Sequence, residues 1–173
     1  MPTVTINIAG ADTQLSNGGT SNAGHMWYTL TNSNGSTLSY GYGPATGNIG
    51  VERLFGPGEK YVDDNATYIS TPANPIDQRT IDISQAQYDA MKNFGDNPTA
   101  GGFNKDRYNA LNNSCVDFVW KGLDRWSDKH LLGESVEYLR GGGDGFMFGF
   151  QPSGNLCPQP RVDIVQLVLL KGK

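Results

Sequence analysis

Two cysteines and two histidines occur among the 173 residues, and one of each stands where it can do nucleophilic chemistry. Cys115 opens Cys-Val-Asp-Phe-Val-Trp-Lys-Gly-Leu, residues 115–123, in which Val116, Val119, Trp120 and Leu123 keep helical spacing. Asn113 or Ser114 is a good N-cap for that helix, which puts Cys115 in its first turn. The unpaired N–H groups and macrodipole of a helix start favour the thiolate, the form that attacks carbonyl carbon. The same N–H groups, with Ser114 and Asn113 beside them, are candidates to stabilise an oxyanion.

A thiolate that attacks an amide also needs a group to protonate the leaving amine, and His does this best near neutral pH. His130 lies in Ser127-Asp128-Lys129-His130-Leu131, a charged stretch in which a solvated or capping histidine is the ordinary outcome. His25 opens an aromatic segment, His25-Met26-Trp27-Tyr28-Thr29-Leu30-Thr31. Taken singly, a Cys on an amphipathic helix is more often core packing, and a His at a strand start is often structural. Together, His25 is the candidate base and Cys115 the candidate nucleophile.

The elements that position them follow from local pattern. Residues 3–8 alternate with period two and read as a strand, and residues 9–23 are small, polar and Gly-rich, hence a loop. Residues 25–31 and 36–42 form a hairpin around Asn32-Ser33-Asn34-Gly35. A two-residue turn at Asn34-Gly35 pairs Trp27 with Tyr42 and Thr29 with Tyr40, placing Tyr40 and Tyr42 on the His25 face. Residues 43–75 are rich in turn formers, with a strand near Tyr61 or over residues 66–70. Residues 80–83 form another strand. Ser84 and Gln87 make a capping box for a helix from residue 85 to about 94. Residues 96–105 and 141–160 are loops, and residues 162–170 a final strand. The expected class is α+β, one domain over residues 1–173, with an antiparallel sheet packed against the Cys115 helix.

Composition excludes several partners. Net charge is −4 and no Lys/Arg cluster occurs, so no nucleic-acid partner is expected. The longest apolar run, residues 164–170, is too short to span a bilayer, so no membrane span is expected. The first residues lack the basic start, apolar stretch and cleavage site of a secretory signal, which implies synthesis in the cytoplasm. The two cysteines and two histidines lack zinc-ligand spacing, and Gly141 to Gly145 leads into no phosphate-binding loop, so neither metal nor cofactor is expected. Asp63 and Asp64 are adjacent in a turn-rich region and read as turn chemistry or solvated surface. With 37% hydrophobic residues and 23 glycines, the domain should be loop-rich.

The segment Tyr-Asn-Ala-Leu-Asn-Asn-Ser-Cys-Val-Asp-Phe-Val-Trp-Lys-Gly-Leu, residues 108–123, resembles the nucleophile helix of circularly permuted papain-like hydrolases. These are relatives of NlpC-type cell-wall endopeptidases, desumoylating peptidases and lecithin:retinol acyltransferase. Gly24-His25-Met26-Trp27-Tyr28 resembles their Gly-His strand, and Ile81-Asp82-Ile83-Ser84 the segment before the nucleophile. The likeness covers residues 22–44 and 80–123 as short motifs in order. It departs from the pattern at Ser114, where many members carry Asn directly before Cys.

The resemblance implies a permuted, NlpC-like fold and a cysteine peptidase or amidase in which the Cys115 thiolate attacks and His25 serves as base and acid. It also implies a third polar residue on the strand after the histidine. That strand offers Tyr42, on the predicted His25 face, and Ser39, on that face if the register shifts by one; a backbone carbonyl is a further option. The implied substrate is the peptidoglycan stem peptide, and the missing signal fits an antibacterial toxin delivered by type VI secretion and held in check by an immunity protein. Cytoplasmic deconjugation of a protein modifier and acyl transfer remain open on the same fold. A reading from another class is a non-catalytic binding or structural module with a Cys115–Cys157 disulfide, which a cytosolic setting disfavours.

Overall fold

The computed structural model describes residues 1–126. The loop expected at residues 141–160, the strand at 162–170, His130 and Cys157 lie outside the described residues. Within them the architecture is α+β, with a six-stranded sheet whose neighbouring strands are antiparallel and a few helices.

The alternating segment at the start forms β1, Thr3–Ala9. The region expected to be loop contains two short strands, β2 (Thr13–Gln14) and β3 (Thr20–Ser21), which pair with each other. The hairpin forms as β4 (His25–Thr31) and β5 (Thr37–Pro44). A single 3-10 turn at Gly50–Arg53 precedes β6 (Phe55–Tyr61), and one helical turn, α1 (Asp64–Thr67), follows it. Then come β7 (Ile76–Asp82), α2 (Gln85–Asp96), β8 (Arg107–Asn109) and α3 (Cys115–Trp126). The sheet order is β7-β1-β4-β5-β6-β8.

The β4–β5 register differs by one residue from the one Asn34-Gly35 alone suggests: Trp27 pairs with Gly41 and Thr29 with Ser39. The turn chemistry explains the shift. Asn32 N–H donates to the Ser36 carbonyl at 3.0 Å, leaving a three-residue loop with Gly35 at φ +89°. The Asn32 side chain holds that loop, accepting from the N–H groups of Asn34 and Ser36 at 3.2 and 2.9 Å. Because side chains alternate along a strand, the slip moves Tyr40 and Tyr42 to the face of Tyr28, and puts Ser39, Gly41 and Gly43 on the face of His25 and Trp27.

The core forms where α2 and α3 pack together and α3 lies on β4 and β5. Phe118 is fully buried at its centre, its ring 5.1 to 5.9 Å from those of Tyr28, Tyr42, Phe94 and Phe103. Ser84 and Gln87 form the expected reciprocal cap, and α2 runs two residues past the expected Phe94. No helix among the described residues is long and apolar enough to cross a membrane.

Candidate active site

His25 begins β4 directly after a glycine that no other residue could replace without strain. Gly24 has φ +74°, and a Cβ there would lie 2.5 Å from the Ala9 carbonyl oxygen. The chain thus turns tightly off the end of β1, and the imidazole enters a packed environment. Its ring stacks on Tyr68 at 5.1 Å and Trp27 at 5.6 Å, with Tyr61 edge-on at 6.0 Å.

The imidazole's carboxylate partner is Asp64, with His25 Nε2 3.2 Å from Asp64 Oδ2. A carboxylate only accepts, so Nε2 carries the hydrogen. Asp64 is the first residue of α1 and is 2% exposed, although its neighbour Asp63 is open to solvent. Gly41 makes this possible: a Cβ there would fall 1.8 Å from Asp64 Oδ2 and 2.8 Å from His25 Nε2. The α1 turn is held in place next door, where Asn65 Oδ1 accepts from Trp27 Nε1 at 2.7 Å and Thr29 Oγ1 at 2.8 Å. The connection between β2 and β3 also holds it, Ser16 N–H donating to the Thr67 carbonyl at 2.8 Å.

Cys115 is the first residue of α3, is 3% exposed, and shares a side-chain hydrogen bond with His25. Ser114 before it caps the helix reciprocally with Asp117. Its N–H and Oγ donate to Asp117 Oδ2 at 2.8 and 2.6 Å, and Asp117 N–H donates to Ser114 Oγ at 3.4 Å. Asn113 faces another way. Its Nδ2 donates to the carbonyls of Asn104 and Arg107, each at 2.6 Å, and to Tyr42 Oη at 3.3 Å, latching the loop before the helix.

The electrostatics of the imidazole follow from these neighbours. Burial by itself lowers the pKa of His25, but the hydrogen bonds with Asp64 and Cys115 and the negative charges of both raise it, to about 10. Burial pushes the Tyr61 phenol up to about 12. No family model, curated protein or solved structure matches the chain. What its site can do is therefore read from its own geometry: a thiol at a helix N-terminus, an imidazole hydrogen-bonded to it, and a carboxylate that holds the imidazole and favours its charged form.

Asp64 thus takes the place expected of Tyr42 or Ser39. Tyr42 points into the core, its hydroxyl donating to the Asn104 carbonyl at 3.3 Å. Ser39 is on the His25 face but pairs with Thr29, beyond Gly41, and its Oγ is buried without a hydrogen-bond partner among the described residues. Reading Asp64 as turn chemistry missed it because it arrives from a loop and not from the strand after the histidine. The available signal was Tyr40-Gly41-Tyr42-Gly43, two glycines in an aromatic strand, a pattern that marks close approach by another segment.

His25 and Cys115 form part of the lining of a cleft of about 470 Å³. One wall is Thr20 to Gly24, leading from β3 into β4, and the other is the loop after β5 from Pro44 to Arg53. No group of three or more metal-ligating side chains occurs among the described residues.

Proposed function

We propose that this chain is a cysteine hydrolase of the permuted papain-like kind that cleaves an amide bond. What supports the reading is the contact set of one residue: His25 meets Asp64 on one side and Cys115 on the other, beside an open cleft. A merely structural histidine does not require a buried carboxylate, a thiol at a helix start and access to solvent space together.

In the resting enzyme the Cys115 proton resides on His25, giving a thiolate and imidazolium pair. With Nε2 engaged by Asp64, Nδ1 is the nitrogen that exchanges the proton with Sγ. The thiolate attacks the amide carbonyl, and the oxyanion that forms is stabilised by N–H groups of the first turn of α3. His25 then gives its proton to the departing amine as the C–N bond breaks, leaving a thioester. A water molecule, deprotonated by His25, attacks the thioester and releases the acid and the Cys115 thiolate. Asp64 holds the imidazole in one orientation throughout and stabilises its charged form.

The substrate class that the motif resemblance favours is the peptidoglycan stem peptide, and on that reading the chain is an antibacterial effector with a cognate immunity protein. The test is to incubate wild type, Cys115→Ala and His25→Ala with purified peptidoglycan and read released fragments by mass spectrometry. Release by wild type and by neither variant is expected. Cys115→Ala should unfold close to wild type, whereas His25→Ala leaves Asp64 buried without its imidazole partner and should melt lower, so its loss of release is read at a temperature where it stays folded. Full release by His25→Ala would sink the assignment.

A further inference from the structure

The cleft has a chemical bias that the hydrolytic machinery does not use. Apart from His25, its only ionisable side chains among the described residues are the thiol of Cys115, the four phenols of Tyr42, Tyr61, Tyr68 and Tyr108, and one cation, Arg53. Small residues, Thr20 to Gly24 and Ala45 to Asn48, make up much of the walls, so among the described residues Arg53 supplies their one fixed charge.

Arg53 ends the 3-10 turn, on a wall that is built rather than loose. Ala45 N–H donates to the Pro57 carbonyl at 2.9 Å, Thr46 N–H to Glu59 Oε2 at 2.8 Å, and Asn48 Nδ2 to the carbonyls of Glu52 and Pro57 at 3.1 and 2.9 Å. The guanidinium is oriented by that wall, its Nε donating to the Asn48 carbonyl at 3.0 Å. Among the described residues no hydrogen bond engages its two terminal nitrogens, the pair that matches a carboxylate in fork geometry. Arg53 joins no ion pair among the described residues, although acidic residues outnumber basic ones in the chain, 17 to 13.

We infer that Arg53 is a specificity-determining residue that anchors a carboxylate of the substrate, so that the cleft selects acidic peptides over their amidated forms. This rests on the hydrolase reading for the identity of the occupant, but the anchor is tested by binding alone. The probes are a stem tetrapeptide containing γ-linked D-glutamate with its carboxylates free, and the same peptide with them amidated. Each is titrated calorimetrically into Cys115→Ala and into Cys115→Ala combined with Arg53→Gln.

The expected result is that Cys115→Ala binds the acidic form about tenfold or more tightly, a preference that shrinks with added salt and disappears with Arg53→Gln. Equal affinity for the two forms, binding of neither, or a preference that survives Arg53→Gln overturns the inference. Hydrolysis of both probes by the protein with Cys115 intact is followed in parallel. Cys115-dependent hydrolysis without a carboxylate preference keeps the hydrolase and removes the anchor. Carboxylate-selective binding without hydrolysis does the reverse.

Discussion

A carboxylate oxygen 3.2 Å from an imidazole nitrogen, both groups buried, makes the charge on His25 depend on Asp64. Asp64→Asn keeps the shape and removes the charge. It should lower kcat/KM by about a hundredfold or more, within the range that positioned acid–base groups contribute, and should bring the His25 titration, followed by NMR, down from about 10. The sign of the stability effect is fixed by the direction of that shift. The folded value of about 10 lies above the ordinary 6.5, so the stabilisation is fully present below about pH 6.5 and is lost as pH rises through about 10. Thermal unfolding across that window should show wild type losing its advantage over Asp64→Asn as pH rises. Gly41→Ala reaches the same contact from the other direction: its methyl would overlap Asp64 Oδ2, so activity should fall to the level of Asp64→Asn. Wild-type activity in Gly41→Ala would mean that the His25–Asp64 contact does not matter to the chemistry.

The start of α3 does two things, and both depend on its cap. Ser114 and Asp117 close the first turn reciprocally, and that turn carries Cys115. Ser114→Ala should cost about 1 kcal/mol of stability, in the usual range for a lost N-cap, read from chemical denaturation. It should also slow alkylation of Cys115 by iodoacetamide, because a frayed first turn orients fewer N–H groups toward the sulfur. The one-turn α1 has little stability of its own and owes its place to neighbours, Asn65 to β4 and the Thr67 carbonyl to Ser16.

The core joins these pieces through aromatic rings more than aliphatic side chains. Phe118, on the helix that starts with Cys115, touches rings from β4, β5 and α2 and from the loop carrying Phe103. Phe118→Ala should destabilise the protein by about 3–5 kcal/mol, as expected for a buried Phe reduced to Ala, measured by urea unfolding. Since the same ring aligns α3 with β4, activity in the variant should fall even at temperatures where it stays folded.

Local chemistry made a good share of this molecule legible. The strand at β1, the hairpin, the Ser84–Gln87 cap and the helix beginning at Cys115 follow from periodicity and capping, which act over a few residues and need no tertiary partner. His25 and Cys115 stood out because a Gly-His strand and a capped Cys helix are local patterns. The short strands β2, β3 and β8 were not legible, since strands of two or three residues carry too little periodicity to detect. The hairpin register turned on the Asn32 side chain, a one-residue choice that reverses every face along β5. Asp64 was decided only by tertiary structure. It lies 39 positions from His25, in a single helical turn held by contacts from three other segments. No local pattern distinguishes a buried carboxylate from a solvated one when burial comes from chain that is distant in sequence.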